Sequence, residues 1–471
     1  MGINEKRERR ALLVAGLSGG GGKSVVAVGL VAALAARGLR LTPFKKGPDY
    51  IDAGWLALAA GRPCYNLDPY LMTPDVIAAS FGRGLGDGDM AVVEGSRGLY
   101  DGVDLAGSCS SAELSVQLGI PVLLVVDCTK ATRTIAALVL GCLHFDKRLR
   151  ICGVVLNRIA GARHRRIVSE AIEHYTAVPV LGVLPKLKED IFSQRHLGIT
   201  PFQEHGSASD TVGRLASLMT EHLDLDRIVS LASCSPCDAE IPSREGPSHS
   251  AVVVGERVRI GVIKDAAFQF YYRENLEALI EAGAELVEIN ALREEALPEL
   301  DALYIGGGFP ETSAGALSAN RSFRQSVKRA IGNGLPVYAE CGGLIYLGKS
   351  ICLEGEEFPL VGVFAVRFSL SERPQAHGYT VLQVARPNPF YPEGLRVKGH
   401  EFRYSMIEEW PGESGELVFA VERGVGFTDK RDGLLYKNTL ALYTHIHAFG
   451  TPQWASAMVA KAREFRSRKC F

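Results

Sequence analysis

The sequence lacks any apolar run close to the roughly 20 residues that a helix needs to cross a bilayer. Its 52 lysines and arginines nearly cancel its 53 aspartates and glutamates, so no global field favours nucleic acid or a membrane surface. Residues 1–10 are charged rather than apolar and do not have the pattern of a secretory signal. We therefore expect no nucleic-acid partner and no membrane partner.

A disulfide framework is also lacking, because the ten cysteines are scattered without a regular spacing. This distribution favours a reducing compartment, and we expect a cytoplasmic enzyme. Cys234 and Cys237 form one CxxC pair, which we interpret as incidental for want of a second pair. The sequence has no internal repeat and no low-complexity tract, so it describes an ordinary globular protein.

What the sequence does contain is an alternation of nearly unbroken apolar runs with helical stretches. Such runs predict strands that are buried on both faces of a parallel sheet. The Ala- and Val-rich stretch 23–37, closed by Gly38, predicts the first helix. Strands of a first series are predicted at 11–15, 90–93, 121–126, 151–156 and 178–184. Strands of a second series are predicted at Val258–Ile263, 285–289, Ala302–Ile305 and 335–339.

The two series predict two domains. At 471 residues the chain exceeds the usual size of one domain. Between the series the composition shifts to Ser, Pro, Gly and charged residues without a helical or strand period. We predict an α/β fold with a doubly wound, mostly parallel sheet in each of two domains, residues 1–233 and 258–471, joined by a linker at 234–257.

A glycine-rich loop, Gly-Leu-Ser-Gly-Gly-Gly-Gly-Lys-Ser at 16–24, follows the first predicted strand and opens the first helix. In this context backbone amides can wrap phosphate oxygens at the N-terminus of a helix. Lys23 can reach the outer phosphates, and the Ser24 hydroxyl can complete a Mg²⁺ shell. A flexible glycine turn is disfavoured by the flanking strand and helix. We therefore predict an ATP site formed by Gly19, Gly20, Gly21, Gly22, Lys23 and Ser24.

Two pairs of acids leave the carboxyl ends of predicted strands, where open α/β sheets bind ligands. Asp49 and Asp52 form one pair, and Glu94 and Asp101 form the other. Carboxylates beside a triphosphate serve best as metal ligands or hydrogen-bond acceptors, because alone they would repel phosphate. The other interpretation of Asp49 and Asp52 is that they cap a helix beginning near Trp55.

Cys341 lies between an apolar run and two glycines, a sequence typical of a strand-to-helix turn that presents a nucleophile. His445, at the end of the strand-like run 440–444, is the candidate that activates the thiol. His447 lies two residues on, hence on the same face of a strand, and is a candidate third member of a triad. Without this context, an inert buried thiol would be the expected role of such a cysteine. Backbone amides for an oxyanion hole are available at Gly307, Gly308 and Gly342.

Several motifs, in order along nearly the whole chain, resemble the cobyrinic acid a,c-diamide synthase family. That family joins a dethiobiotin-synthetase-like ATP domain to a class I glutamine amidotransferase domain. The matching motifs are Lys-Gly-Pro-Asp-Tyr-Ile-Asp at 46–52, Gly-Leu-Tyr-Asp-Gly at 98–102, Ala-Phe-Gln-Phe-Tyr-Tyr at 267–272, Gly-Gly-Gly-Phe-Pro-Glu at 306–311, Ala-Glu-Cys-Gly-Gly at 339–343, Gly-His-Glu-Phe at 399–402 and Tyr-Thr-His-Ile-His at 443–447.

The resemblance implies roles for individual residues. Asp49 and Glu94 would be Mg²⁺ ligands, and Asp52 and Asp101 would face the substrate. Asn157 stands where the dethiobiotin synthetases have an adenine-recognising asparagine, although a strand-end cap is the other interpretation.

The resemblance also implies a function, which is ATP- and glutamine-dependent amidation of the a and c side-chain carboxylates of a cobyrinic-acid-type tetrapyrrole. The reaction would pass through an acyl phosphate attacked by channelled ammonia, in cobalamin biosynthesis. One alternative is an amidase of sirohaem or (nickel-)sirohydrochlorin, toward which the stretches 45–47 and 55–66 lean. Another is a non-catalytic, ATPase-type regulatory switch, against which Cys341 and His445 argue. A homodimer is compatible with the sequence, which does not fix the oligomeric state.

Overall fold

The computed structural model describes residues 10–187, 194–195, 198–233 and 256–469. These residues divide between two compact units, Met1–Arg244 and Glu245–Phe471. The linker predicted at 234–257 lies outside the described residues except for its last two, and Cys234 and Cys237 lie outside them as well. Among the described helices, none combines the length and the apolar character that a membrane span requires.

The first unit is organised around a parallel sheet. Its strands are β1 (Arg10–Gly16), β2 (Leu41–Lys46), β3 (Tyr65–Leu67), β4 (Met90–Glu94), β5 (Val122–Asp127), β6 (Ile151–Ile159) and β7 (Val180–Pro185), with a short hairpin of β8 (Gln194–Arg195) and β9 (Gly198–Ile199). Its helices are α1 (Lys23–Ala36), α2 (Ile51–Ala60), α3 (Pro74–Leu85), α4 (Ser111–Leu118), α5 (Arg133–Phe145), α6 (Ala162–Thr176), α7 (Ala208–His222) and α8 (Leu225–Leu231). The sheet order is β3-β2-β4-β1-β5-β6-β7, with every neighbouring pair parallel.

Strand β1 lies at the centre of this sheet, between β4 and β5. Residues 11–15 are each at most 1% exposed, because helices cover both faces of a doubly wound sheet. Helix α1 packs closely on α7: a Cβ atom built on Gly29 would lie 2.6 Å from the Met219 side chain. The doubly wound parallel sheet predicted for this half of the chain is confirmed.

The second unit also contains a mostly parallel sheet, accompanied by smaller sheets. Its strands are β10 (Val258–Ile263), β11 (Phe268–Phe270), β12 (Ala284–Ile289), β13 (Ala302–Ile305), β14 (Gly307–Gly308), β15 (Val337–Glu340), β16 (Ser350–Leu353), β17 (Glu356–Pro359), β18 (Arg367–Leu370), β19 (Ala376–Val384), β20 (Arg396–Arg403), β21 (Ser405–Glu409), β22 (Phe419–Arg423), β23 (Arg431–Asp432), β24 (Leu434–Tyr436), β25 (Thr439–Leu442) and β26 (His445–Ile446). Its helices are α9 (Arg273–Glu281), α10 (Ala314–Ala319), α11 (Arg321–Gly332), α12 (Gly342–Leu347) and α13 (Gln453–Lys469).

The main sheet of this unit has the order β12-β10-β13-β15-β25-β24 and is parallel except at the β24 edge. The mostly parallel sheet predicted here is therefore confirmed. Two further sheets, β17-β16-β18-β21 and the antiparallel β23-β22-β19-β20-β26, were not predicted. Several of their strands are short or partly exposed, so they lack the unbroken apolar runs on which the strand predictions depended.

The strand predicted over 440–444 ends earlier than expected. The backbone amides of Tyr443 and Thr444 donate to the buried carboxylate of Asp432, at 3.1 Å and 3.3 Å, instead of to a neighbouring strand. Strand β25 therefore stops at Leu442, and His445 begins β26, which pairs with β20 in a different sheet.

Candidate active sites

The phosphate loop connects β1 to α1 and places Lys23 at the first helical position. Gly20 and Gly22 have φ angles of 72° and 94°, left-handed conformations that glycine adopts without strain. Burial of the Lys23 side chain, followed by repulsion from Lys45, lowers the Lys23 pKa. The loop thus has the backbone turn and the lysine that a triphosphate site requires.

Asn157 lies in β6 and contacts this loop. Its Nδ2 donates to the carbonyl of Gly21 at 3.0 Å, and its Oδ1 accepts from the amide of Arg158 at 2.9 Å. A Cβ atom on Gly22 would lie 2.1 Å from Nδ2, so this close approach requires glycine. Because a carboxamide retains a second N–H and a second lone pair, these bonds are compatible with adenine binding, which stays a prediction.

Lys45 lies among the acids at the carboxyl ends of the strands. Its Nζ is 2.6 Å from Asp52 Oδ2, 3.1 Å from Glu94 Oε1 and 4.0 Å from Asp49 Oδ2. Burial lowers the pKa of Lys45, but the three carboxylates raise it above its ordinary value, so the amine carries a charge. Lys45 was not among the predicted site residues, although it lies near the end of a strand and close in sequence to Asp49 and Asp52.

Ser24 joins the same cluster from the start of α1. Its Oγ donates to Glu94 Oε1 at 2.6 Å and to Asp52 Oδ2 at 3.4 Å. Burial, followed by repulsion from Asp52, raises the pKa of Glu94 to about 7. Glu94 Oε2 is buried and makes no hydrogen bond within the described residues.

The donor set of this cluster fits magnesium. Its side chains offer hard oxygen ligands, including the buried Glu94 Oε2. Among the described residues, no three histidine, cysteine or carboxylate side chains form a ready-made metal cage. Mg²⁺ is typically held by one or two carboxylates together with phosphates and water, so a sparse protein site is what this ion needs.

Asp49 and Asp52 differ in their positions. The Asp49 side chain is 39% exposed, and its Oδ1 accepts from the amide of Asp52 at 3.0 Å in the first turn of α2. It therefore satisfies one amide in the first turn of this helix, which begins at Ile51 rather than near Trp55. The contacts place Asp52, not Asp49, next to Ser24, although the metal and substrate roles of both residues stay predictions.

Asp101 is exposed and directly follows a turn. Its Oδ2 accepts from the amide of Gly98 at 2.8 Å, and the amide of Leu99 donates to the Gly16 carbonyl at 2.8 Å. The turn is thus docked on the start of the phosphate loop. Within the described residues Asp101 makes no ion pair with Lys45, and its substrate-side role stays a prediction.

In the second unit, Cys341 occupies the turn between β15 and α12. Its φ of 47° and ψ of −97° are unusual for a residue with a side chain, and they place it at a sharp strand-to-helix turn. The Cys341 amide donates to the Leu442 carbonyl at 2.8 Å, which fixes the turn against β25. A Cβ atom on Gly343 would lie 2.5 Å from the Ile305 carbonyl oxygen, so the turn needs glycine there.

His445 faces this turn and is 2% exposed. The Cys341 thiol is near enough to the imidazole to raise the pKa of His445. Burial lowers the pKa of His445, but Cys341 and the Glu340 carboxylate raise it to about 10, which favours the imidazolium. The structure therefore brings together the predicted nucleophile and the predicted base.

His447 has different neighbours. Its Nε2 is 3.6 Å from Glu274 Oε2, its Nδ1 accepts from the Phe449 amide at 3.1 Å, and its ring lies against Tyr272. His445 and His447 do not share one face of a continuous strand, because β26 ends at Ile446. The carboxylate found beside His445 is Glu340, at 3.8 Å from Nδ1. Sequence reasoning missed it, although it directly precedes the nucleophile.

The predicted oxyanion-hole glycines are close together. The Gly308 amide nitrogen lies 3.0 Å from where a Cβ atom on Gly342 would stand. A Cβ atom on Gly307 would lie 2.3 Å from His445 Cε1, so any side chain there would displace the imidazole. The three glycines thus lie beside Cys341 and His445, and the role of their amides in binding an oxyanion stays a prediction.

Two family models match the chain. Residues 12–197 match the CobQ/CobB/MinD/ParA nucleotide binding domain, and residues 259–453 match the CobB/CobQ-like glutamine amidotransferase domain. The two matches contain the phosphate loop and the Cys341 turn, respectively.

Curated relatives match over nearly their whole length. "Cobyrinate a,c-diamide synthase" of Magnetococcus marinus is 43% identical, covering 96% of each chain. Proteins of the same name are 38% identical in Archaeoglobus fulgidus, covering 96% of this chain and 97% of the relative, and 36% identical in Listeria monocytogenes, covering 93% and 96%. The chain therefore belongs to the cobyrinate a,c-diamide synthase family and is a glutamine-hydrolysing amide ligase rather than a regulatory switch.

Proposed function

We propose that this chain uses ATP and glutamine to amidate the a and c side-chain carboxylates of a cobyrinic-acid-type tetrapyrrole. The names of its relatives support this substrate. One structural observation carries the chemistry: a phosphate loop with an acidic cluster and a paired Cys341 and His445 occur in one chain. The first arrangement suits activation of a carboxylate by a phosphoryl group, and the second suits release of ammonia.

Activation takes place in the first unit. Lys23 and the loop amides hold the triphosphate, while Lys45 offsets negative charge as the phosphoryl group approaches the substrate. Ser24, Glu94 and Asp52 would hold a Mg²⁺ ion, which would supply positive charge to neutralise the phosphates. A carboxylate oxygen of the tetrapyrrole attacks the γ-phosphorus, the bond to the bridging oxygen breaks, and ADP leaves. The product is an acyl phosphate, which is far more electrophilic than a carboxylate.

Glutamine hydrolysis takes place in the second unit. The Cys341 thiolate attacks the side-chain amide carbon, and the amides of Gly308 and Gly342 receive the developing oxyanion. His445 donates its proton to the departing nitrogen, so ammonia leaves and a thioester remains. Water then hydrolyses the thioester to glutamate, which regenerates the thiol.

Ammonia then passes within the protein to the acyl phosphate. Attack on the acyl carbon expels inorganic phosphate and forms the amide. Each amidation thus consumes one ATP and one glutamine, and two turnovers give the a,c-diamide.

The acyl phosphate predicts where a substrate oxygen goes. Tetrapyrrole labelled with ¹⁸O in its carboxylates should yield labelled inorganic phosphate together with unlabelled ADP, because phosphoryl transfer leaves the attacking oxygen on phosphorus. Mass spectrometry of the released phosphate measures the label. Labelled AMP together with pyrophosphate would instead show adenylation and exclude the mechanism.

The substrate assignment is tested with a panel of tetrapyrroles. We expect cobyrinic acid incubated with the protein, ATP, Mg²⁺ and glutamine to gain two amides, each lowering the mass by about one unit, the difference between OH and NH₂. Sirohaem, sirohydrochlorin and nickel-sirohydrochlorin are the comparison substrates. If one of these has the higher kcat/KM, the alternative sirohaem or sirohydrochlorin amidase replaces the present proposal.

A further inference from the structure

Glu340 is a buried carboxylate at the end of β15, directly before the nucleophile. Its Oε1 accepts from the Ile446 amide at 3.1 Å, and its Oε2 accepts from the Tyr304 hydroxyl at 3.0 Å. Both donors are neutral. The carboxylate is therefore held in one orientation without its charge being cancelled by them.

The ion pair that Glu340 makes within the described residues is with His445. Oε2 lies 3.8 Å from His445 Nδ1, a distance for electrostatic attraction rather than for a hydrogen bond. The Ile446 amide that Glu340 accepts belongs to the residue after His445. The same carboxylate thus binds the backbone next to the imidazole and places a negative charge near the ring.

Other titratable groups face His445 from neighbouring elements. Cys341 contacts the ring from the turn, and the His400 ring stacks on it from β20 with centroids 4.9 Å apart. Glu401, also on β20, interacts electrostatically with His445 but is engaged by Arg403 and by the Gly426 amide. His400 has its pKa lowered by burial and by the neighbouring histidines, so it is neutral. Glu340 is the carboxylate at ion-pairing distance from the ring.

A second buried pair of a histidine and a carboxylate is formed by His447 and Glu274. The closest approach of this pair is 3.6 Å, and both side chains are buried. Glu274 begins α9, and His447 contacts Tyr272 and Phe449 rather than Cys341. This second histidine and carboxylate pair is therefore a matched comparison: it has the same chemistry and burial but lies at a different place.

We propose that Glu340 is the positioning residue that orients His445 and stabilises its imidazolium form during glutamine hydrolysis. The inference rests on the proposed glutaminase role of Cys341 and His445. Glu340 would take the role of third triad member that the sequence analysis predicts for His447. Tyr304 and Ile446 would hold its carboxylate ready for this task.

The sign of the expected pH effect follows from the charge. A carboxylate at about 4 Å favours the imidazolium and raises a histidine pKa by roughly one to three units. The ion pair of thiolate and imidazolium is the active form, and it is lost on the alkaline side when His445 deprotonates. Removing the carboxylate charge therefore moves that loss to lower pH.

The test is the pH dependence of kcat/KM for glutamine hydrolysis by the full chain. Glu340→Gln keeps an acceptor for the Ile446 amide but removes the charge. We therefore expect the alkaline limb of its pH profile to move to lower pH by at least one unit. We also expect kcat to be lowered and KM for glutamine to be nearly unchanged. Glu340→Asp, which restores the charge with a shorter reach, should recover part of the shift. Glu274→Gln is the matched control, and its alkaline limb should coincide with that of the wild type.

The opposite result overturns the inference. If Glu274→Gln moves the alkaline limb and Glu340→Gln does not, the pair of His447 and Glu274 is the orienting partner. A Glu340→Gln variant that melts like the wild type but has an unshifted limb also contradicts it. Failure of the proposed function itself is recognised separately, since a Cys341→Ala variant would then still hydrolyse glutamine.

Discussion

Replacing Cys341 with alanine should reduce glutamine-driven amidation at least roughly 10⁴-fold, while amidation from free ammonia persists. In the proposed mechanism the thiol supplies the electron pair that opens the glutamine amide, and His445 is its proton partner. Ammonia added directly bypasses that step, because activation of the carboxylate depends on the phosphate loop. The measurement is amide formation by mass spectrometry with glutamine or with ammonium salt as nitrogen donor.

The matched control is Cys352→Ala, a second free cysteine of the same unit, located in β16. Its activity with both donors should remain near that of the wild type. A Cys341→Ala variant that keeps full activity with glutamine would contradict the nucleophile assignment. Loss of both activities with an unchanged melting temperature would contradict the independence of the two half-reactions.

The parts of the fold that could be predicted are those in which sequence pattern and burial coincide. The predicted strands at Val258–Ile263 and Ala302–Ile305 agree with the structure at both ends, because central parallel strands are apolar throughout. Strand β19 could not be recognised in this way, since exposed and buried residues mix along it and one of its partners, β22, follows only after β20 and β21. Pairing of that kind depends on tertiary structure.

The candidate sites show the same division. Position at a strand end was enough to select Glu94, Cys341 and His445, and the glycine-rich loop selected Ser24. The structure brings these four residues together in two pairs. The sequence could not show which of Asp49 and Asp52 would lie nearer to Ser24, because the bond from the Asp52 amide to Asp49 depends on where α2 begins. Nor could it show that the chain leaves β25 at Leu442, which separates the environments of the two histidines.

Replacing Lys23 with alanine should lower amidation on the order of 10²- to 10³-fold with glutamine and with ammonia alike. Lys23 opens α1 at the end of the phosphate loop, where its ammonium can meet the outer phosphates. Its pKa is lowered by burial and then by Lys45, and the negative charge of a bound triphosphate would favour the ammonium form. Loss of that cation weakens stabilisation of the phosphoryl group during transfer. The measurement is ADP release and amide formation with each nitrogen donor.

Lys147→Ala, an exposed lysine of the same unit, is the control and should leave both activities unchanged. Glutamine hydrolysis measured alone should also survive in Lys23→Ala, because the Cys341 and His445 pair depends on contacts within the second unit. The two variants then give different patterns: Cys341→Ala loses amidation with glutamine only, and Lys23→Ala loses amidation with both nitrogen donors. Undiminished ammonia-dependent amidation by Lys23→Ala would mean that the phosphate loop does not catalyse activation, whatever the state of the glutaminase.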